Sequence, residues 1–341
     1  MDWSQLAPDL LHLISKKLPD LSDFIRFHAV CKRWCSATSI NDPPRQLPWI
    51  VAARYSLAST IRFYSLSTGK FYSLIFTEVE GKQLLGSSHD YMLAFDPNSR
   101  LLSLLNPFTR DEITLPLTDS CRHRPLYIGP DPVQSGDDVV ICWHSTDVLT
   151  VGLCQPGDQE WKKIEISEGA YGQIYYNGMY FINERRTLAT KVIDIKRGTT
   201  LSTIPPVVCT TTGVPRCLDY LIMSSGELLG VFGGKWTCQF IRDYEFEVYR
   251  LDNENKVPRW IRIDSTGDRV LFLDDTVGFC LSTTDFKGFK GDCIYFIAHL
   301  YDMDGFSDFP LCRYDMKNRI AEAAVPGRLG DVSSWFFPSI S

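Results

Sequence analysis

Residues able to carry chemistry are plentiful in this chain of 341 amino acids, but their spacing assembles no reaction centre. Eleven cysteines invite a disulfide framework or a zinc site. Their number is odd, no Cys-x-x-Cys pair occurs and no His-x₃₋₅-His completes a tetrahedral set, so they read as reduced, mostly buried thiols filling apolar space. The six histidines, His12, His28, His89, His123, His144 and His299, have neither metal spacing nor a nucleophile beside them. Ser87-Ser88-His89-Asp90 offers hydroxyl, imidazole and carboxylate in a row, yet neighbouring residues of a strand face opposite sides, so the run reads as a turn. The glycines of residues 230–236 lack the spacing and the following helix of a phosphate loop. Asp302-Met303-Asp304-Gly305 starts like a calcium loop without its remaining ligands, and Asp274-Asp275 reads as a solvated turn. The expectation is a chain with no catalytic residues, no metal and no cofactor.

An apolar share of 44% with 22% charged residues belongs to an ordinary globular chain, and the length allows about two domains. The net charge of −6 comes with no basic stripe, which argues against nucleic acid as a ligand. The N-terminus has no basic stretch ahead of an apolar segment, and no window approaches a membrane span. A protein of the cytoplasm, the nucleus or both is expected.

Positioning elements fall into two unlike parts. In the first forty residues Pro8 and Asp9 open a helix expected to run to about Leu18, on which Leu10, Leu11, Ile14 and Leu18 cover an arc of about 100° that Leu13 widens. Ser22 is read as the cap of a second helix carrying Phe24, Ile25 and Phe27, and a third carries Val30, Trp34 and Ala37. Three helices in so few residues seldom cover that much apolar surface alone, and a partner protein could supply the missing core. The run from Leu6-Ala7-Pro8-Asp9-Leu10-Leu11 to Val30-Cys31-Lys32-Arg33-Trp34 resembles an F-box. That resemblance implies docking on a Skp-type adaptor, and through it on a cullin and a RING subunit, with Leu6, Pro8, Leu10, Leu11, Ile14, Val30 and Trp34 as adaptor-binding residues.

From Leu47 onward strand patterns take over. Six clusters emerge, at residues 49–75, 84–116, 139–166, 174–195, 220–263 and 277–315, recurring every 30 to 55 residues. Asn177-Gly178 gives the clearest hairpin, because both residues readily take the positive φ of a type I′ turn. Clusters at this period suit propeller blades, so the expectation is a small all-α unit, residues 1–45, followed by an all-β propeller, residues 46–341, of about six blades, with five and seven left open. The terminal run at residues 335–340 is placed to close the ring against residues 49–53.

Leu104-Leu105-Asn106-Pro107-Phe108-Thr109, Tyr175-Tyr176-Asn177-Gly178-Met179-Tyr180, Ser225-Gly226-Glu227-Leu228-Leu229, Phe246-Glu247-Val248-Tyr249-Arg250-Leu251-Asp252 and Lys290-Gly291-Asp292-Cys293-Ile294-Tyr295-Phe296 together resemble plant F-box proteins with a KIB-type C-terminal β-propeller. The resemblance implies a substrate-recognition subunit of an SCF-type ubiquitin ligase, itself non-catalytic. Loops at residues 117–137, 206–217, 233–244, 282–292 and 301–310 are the places for a protein target to bind, with Trp236, Phe286 and Phe306 as aromatic anchors among neighbours Phe289, Tyr301 and Phe309. The alternative is a free-standing propeller enzyme or carbohydrate-binding module capped by the helices, against which stands the absence of any Ser-x-Asp-x-Gly-x-Thr-Trp repeat.

Overall fold

Short runs of β-branched and aromatic residues with tight polar turns form strands that cannot bury both faces within one sheet, and here they stack face to face around a ring. The computed structural model describes residues 3–18, 20–39, 43–44, 47–52, 59–88, 90–117, 126–127, 139–145, 148–166, 170–209, 213–234, 238–253, 257–274, 278–286, 288–301, 307–325 and 334–338. Among them, six sheets of four or five strands make six blades. Blade II (Gln83–Ser88, Tyr91–Asp96, Leu101–Leu105, Glu112–Leu115), blade III (Leu126–Tyr127, Val139–Ser145, Val148–Cys154, Lys162–Ile166), blade IV (Ala170–Tyr176, Met179–Glu184, Thr190–Asp194, Thr199–Ile204) and blade V (Tyr220–Ser224, Glu227–Phe232, Glu247–Asp252, Arg259–Ile263) are antiparallel meanders.

Blades I and VI depart from the meander. Blade I joins Trp49–Val51, Thr60–Ser65 and Lys70–Ile75 to the last strand of the chain, Ser334–Phe336, with Trp49 opposite Phe336 and Val51 opposite Ser334. In blade VI the chain enters at Arg269–Leu273, turns back to the edge at Gly278–Ser282, then crosses to Cys293–Ile297, which pairs parallel with Arg269–Leu273. Leu311–Asp315 and Ile320–Ala323 complete it. The cluster read from sequence starts at residue 277 and so leaves out Arg269–Leu273, the strand by which the chain enters the blade. It also treated residues 117–137 as a loop, whereas Leu126–Tyr127 pairs with Cys142 and Ile141 as a strand of blade III. A two-residue strand is too short to show any periodicity.

Each pair of adjacent blades shares one apolar layer. Trp49, Phe63, Met92 and Phe336 lie between blades I and II, and Leu93, Leu104, Ile141 and Trp143 between II and III. Val151, Tyr180 and Ile193 fill III to IV, and Phe181, Leu221 and Tyr249 fill IV to V. Tyr220, Phe246, Phe296 and Tyr314 lie between V and VI, and Ile50, Tyr64, Phe272 and Trp335 between VI and I. Six junctions for six blades close the ring.

Turns follow local chemistry. Asn177 and Gly178 have φ of +49° and +78°, and Ser225 and Gly226 have +50° and +81°, the left-handed pairs that two-residue hairpins require. A second turn recurs in blades II, IV and VI: Asp96, Asp194 and Asp315 each accept backbone N–H bonds two or three residues on, and Arg100, Gly198 and Arg319 follow at positive φ.

Ahead of the ring stand α1 (Pro8–Ser15), α2 (Leu21–His28) and α3 (Lys32–Ser36). Helix α1 stops at Ser15, short of the expected Leu18. The cap of α2 is Asp20, not Ser22: the Ser22 N–H donates to Asp20 Oδ1 at 2.7 Å, because Asp20 is the residue in extended conformation just before the first turn. No helix among the described residues is long and apolar enough to cross a membrane.

Candidate interaction surfaces

The three helices bury one side and expose another. Leu11, Leu21, Phe24 and Phe27 point inward. Trp34 is half-buried against Phe27, ring centroids 4.5 Å apart, and its Nε1 donates to the Trp3 carbonyl at 3.2 Å. The His28 ring packs edge-on to Phe24 and shares a 2.8 Å hydrogen bond with the Thr38 hydroxyl, and burial lowers its pKa. Leu10 (49% exposed), Leu13, Ile14, Ile25 and Val30 (57% exposed) are open to solvent, as is Trp3.

This distribution sorts the residues chosen from sequence. Leu10, Ile14 and Val30 lie on the open face, Pro8 is exposed and Leu6 half-buried. Leu11 differs from them in this isolated chain: it is 0% exposed and packs inside the helical unit. Its place next to Leu10 made the two look alike, since an arc of 100° on a short helix spans both an inner and an outer row. Ile25 and Leu13 belong to the open face and were not chosen; on a wheel they look like core positions.

The helical unit is seated on the ring through a polar contact. Asp20 is fully buried, and while one oxygen caps α2 the other accepts the Ser65 hydroxyl of blade I at 3.4 Å. Between the end of α1 and blades VI and I opens a cleft of about 1130 Å³. Leu18, Leu47, Tyr64, Leu66, Phe286 and Tyr295 line it, with Lys16, Lys17 and Asp285 among them. Burial raises the pKa of both tyrosines.

Of the three target anchors named from sequence, Phe286 is half-buried in this cleft, and Trp236 and Phe306 lie outside the described residues. Phe289 is a junction plug, edge-on to Phe272 and Tyr295, and Phe309 stands edge-on to His299. His89, His123, Asp275 and residues 302–306 also lie outside the described residues. Asp274 is not a solvated turn residue. It is buried, and its carboxylate accepts the Trp335 N–H at 3.1 Å, tying blade VI to the closing strand. Among the described residues no group of three or more His, Cys, Asp or Glu could hold a metal, and no disulfide joins the ten described cysteines.

The pattern of the KIB1-4 beta-propeller family matches residues 63–320. That match starts inside Thr60–Ser65, one strand after the ring itself begins at Trp49. Relatives from Arabidopsis thaliana align over most of both chains. F-box protein At2g17036 is 24% identical over 95% of this chain and 92% of its own length, and F-box/kelch-repeat protein At1g57790 is 24% identical over 88% and 84%. F-box protein At2g26160 is 21% identical over 88% and 96%. A solved protein of unknown function from Bacteroides caccae covers 86% of this chain and 99% of its own at 12% identity and a TM-score of 0.48.

Proposed function

The chain belongs to the KIB1-4 β-propeller family, and from that membership, with plant F-box proteins as its relatives, we propose that it is the substrate-recognition subunit of an SCF-type ubiquitin ligase. The observation that carries the reading is the exposed apolar row Leu10, Leu13, Ile14, Ile25 and Val30 on an N-terminal unit whose own interior is already filled by Leu11, Leu21, Phe24 and Phe27. Apolar residues concentrated on the outer side of such short helices are what a protein partner covers. A Skp-type adaptor is that partner, and it brings the cullin and RING subunits with it. The propeller then holds a protein target on its loops and in the cleft at Phe286, with Trp236 and Phe306 as further anchors. The chain itself does no chemistry: transfer of ubiquitin is left to the RING side of the assembly, in the cytoplasm, the nucleus or both.

Purified full chain titrated with a purified Skp-type adaptor tests this by calorimetry. Wild type should form a one-to-one complex, and Leu10→Asp, which places a charge at the centre of the apolar row, should abolish it. No binding by wild type, or undiminished binding by the variant, would refute the reading.

A further inference from the structure

Buried polar groups in folded proteins nearly always find a partner, and an exception asks what is meant to fill the gap. Tyr314, 1% exposed, is such an exception: its hydroxyl makes no hydrogen bond. It lies at the junction of blades V and VI, its ring edge-on to Phe246 at 5.1 Å, beside a pocket of about 250 Å³. Phe246, Val248 and Tyr314 form the buried floor, and Arg262, Lys317 and Arg319 supply cations around it. The Tyr314 phenol beside it raises the pKa of the Arg319 guanidinium.

These cations are not all spoken for. Arg262 is held by Glu247 at 3.2 Å. Among the described residues the ion pair of Arg319 is with Glu245 at 3.6 Å, a glutamate 72% exposed on its side chain and therefore weakly bound. Lys317 has no ion pair among the described residues. Asp315 fixes the turn that carries both Lys317 and Arg319, since its Oδ1 accepts the N–H groups of Lys317 and Asn318 at 3.0 Å. Glu247 and Asp264 also line the pocket, both paired with Arg262, which leaves one hydroxyl donor, the Arg319 guanidinium fork and the Lys317 ammonium to face a ligand. Such a set matches an acceptor-only group with two or three oxygens, where charge-assisted bonds are strongest. At this volume it holds one such group and its stem, and is smaller than pockets that take a whole drug-sized ligand.

We propose that this pocket binds an oxyanion, the carboxylate or phosphoryl group of an acidic or phosphorylated side chain, with the Tyr314 hydroxyl and Arg319 as its donors. The inference goes beyond the adaptor reading and stands without it. Thermal melting of the full chain with O-phosphoserine and, separately, N-acetylglutamate, at fixed pH and ionic strength with sodium chloride as the reference, tests it. At about ten times its dissociation constant one of the two should raise the Tm by roughly 3 °C. Tyr314→Phe keeps the ring and its packing, and should lower affinity about tenfold; Arg319→Gln should remove the response. A response to O-phosphoserine alone identifies a phosphoryl source, and one to N-acetylglutamate a carboxylate source. No response to either, or equal responses in wild type and both variants, overturns the proposal.

Discussion

Phe336→Ala is the sharpest test of ring closure. Phe336 is fully buried between the first and second blades, with Phe63 and Phe108 at centroid distances of 5.3 and 5.9 Å, and its backbone faces Trp49 in the last-to-first strand pair. Removing such a ring loses its transfer free energy and leaves a cavity that the flanking strands cannot close, a loss of about 3–5 kcal/mol. For a domain of this size each kcal/mol lowers the Tm by about 2 °C, so the variant should melt about 6–10 °C below wild type. Leu201→Ala, an exposed change on the outer strand of blade IV, should shift the Tm by about 1 °C or less. Trp335→Ala empties the neighbouring junction, where the indole meets Phe272 and Phe279 edge-on, and should cost a similar amount. Melting followed by circular dichroism decides the matter. If Phe336→Ala melts within 2 °C of wild type, the terminal strand is not a clasp and the closure argument fails.

Three further outcomes are expected. Leu10→Asp should leave the melting curve within about 1 °C of wild type while weakening adaptor binding at least thirtyfold, whereas Leu11→Ala should make the helices protease-sensitive, so limited proteolysis beside calorimetry separates the outer row from the inner one. Gly233→Ala should lower the Tm by about 6 °C, because φ is +114° and a Cβ would stand 2.2 Å from the Glu245 carbonyl oxygen, a backbone atom that cannot swing aside. Backbone donation from Asn318, aided by Lys290, holds the Asp315 carboxyl below its usual range. A depressed carboxylate stabilises the fold above its unfolded value and loses that contribution as pH falls through the folded one, so Asp315→Asn should flatten the acid limb of a Tm-against-pH profile and change it least near neutrality.

Much of this architecture could be read from residue patterns, and the failures have identifiable causes. Hairpins whose turns demand positive φ were plain, as at Asn177-Gly178, because few residues satisfy that geometry. Ring closure followed from the aromatic terminal run, since a ring must join its ends. Strand order in blade VI was hidden: Arg269–Leu273 is absent from the clusters read from sequence, and nothing in the Gly278–Ser282 run says that it takes the edge. The recurring Asp turn at Asp96, Asp194 and Asp315 went unread because the residues between vary and only the carboxylate and the positive φ are shared. On the helices, the wheel located an apolar arc but could not divide Leu11 from Leu10, which takes the third dimension. The pocket at Tyr314 had no linear signal at all, its walls coming from two blades about fifty residues apart.

The clasp also sets an order of events during synthesis. Val51 leaves the ribosome long before its partner Ser334 exists, and at about 5–20 residues per second the roughly 280 residues between them take on the order of 15–60 s to make. Through that interval blade I has three strands and a bare inner edge, the Trp49–Val51 backbone donors and acceptors waiting for a segment not yet translated. Blades II to V, each built from consecutive strands, can form as they emerge. The nascent chain is therefore an open arc with one adhesive end, and the cell must keep that end from neighbouring chains until the final residues arrive.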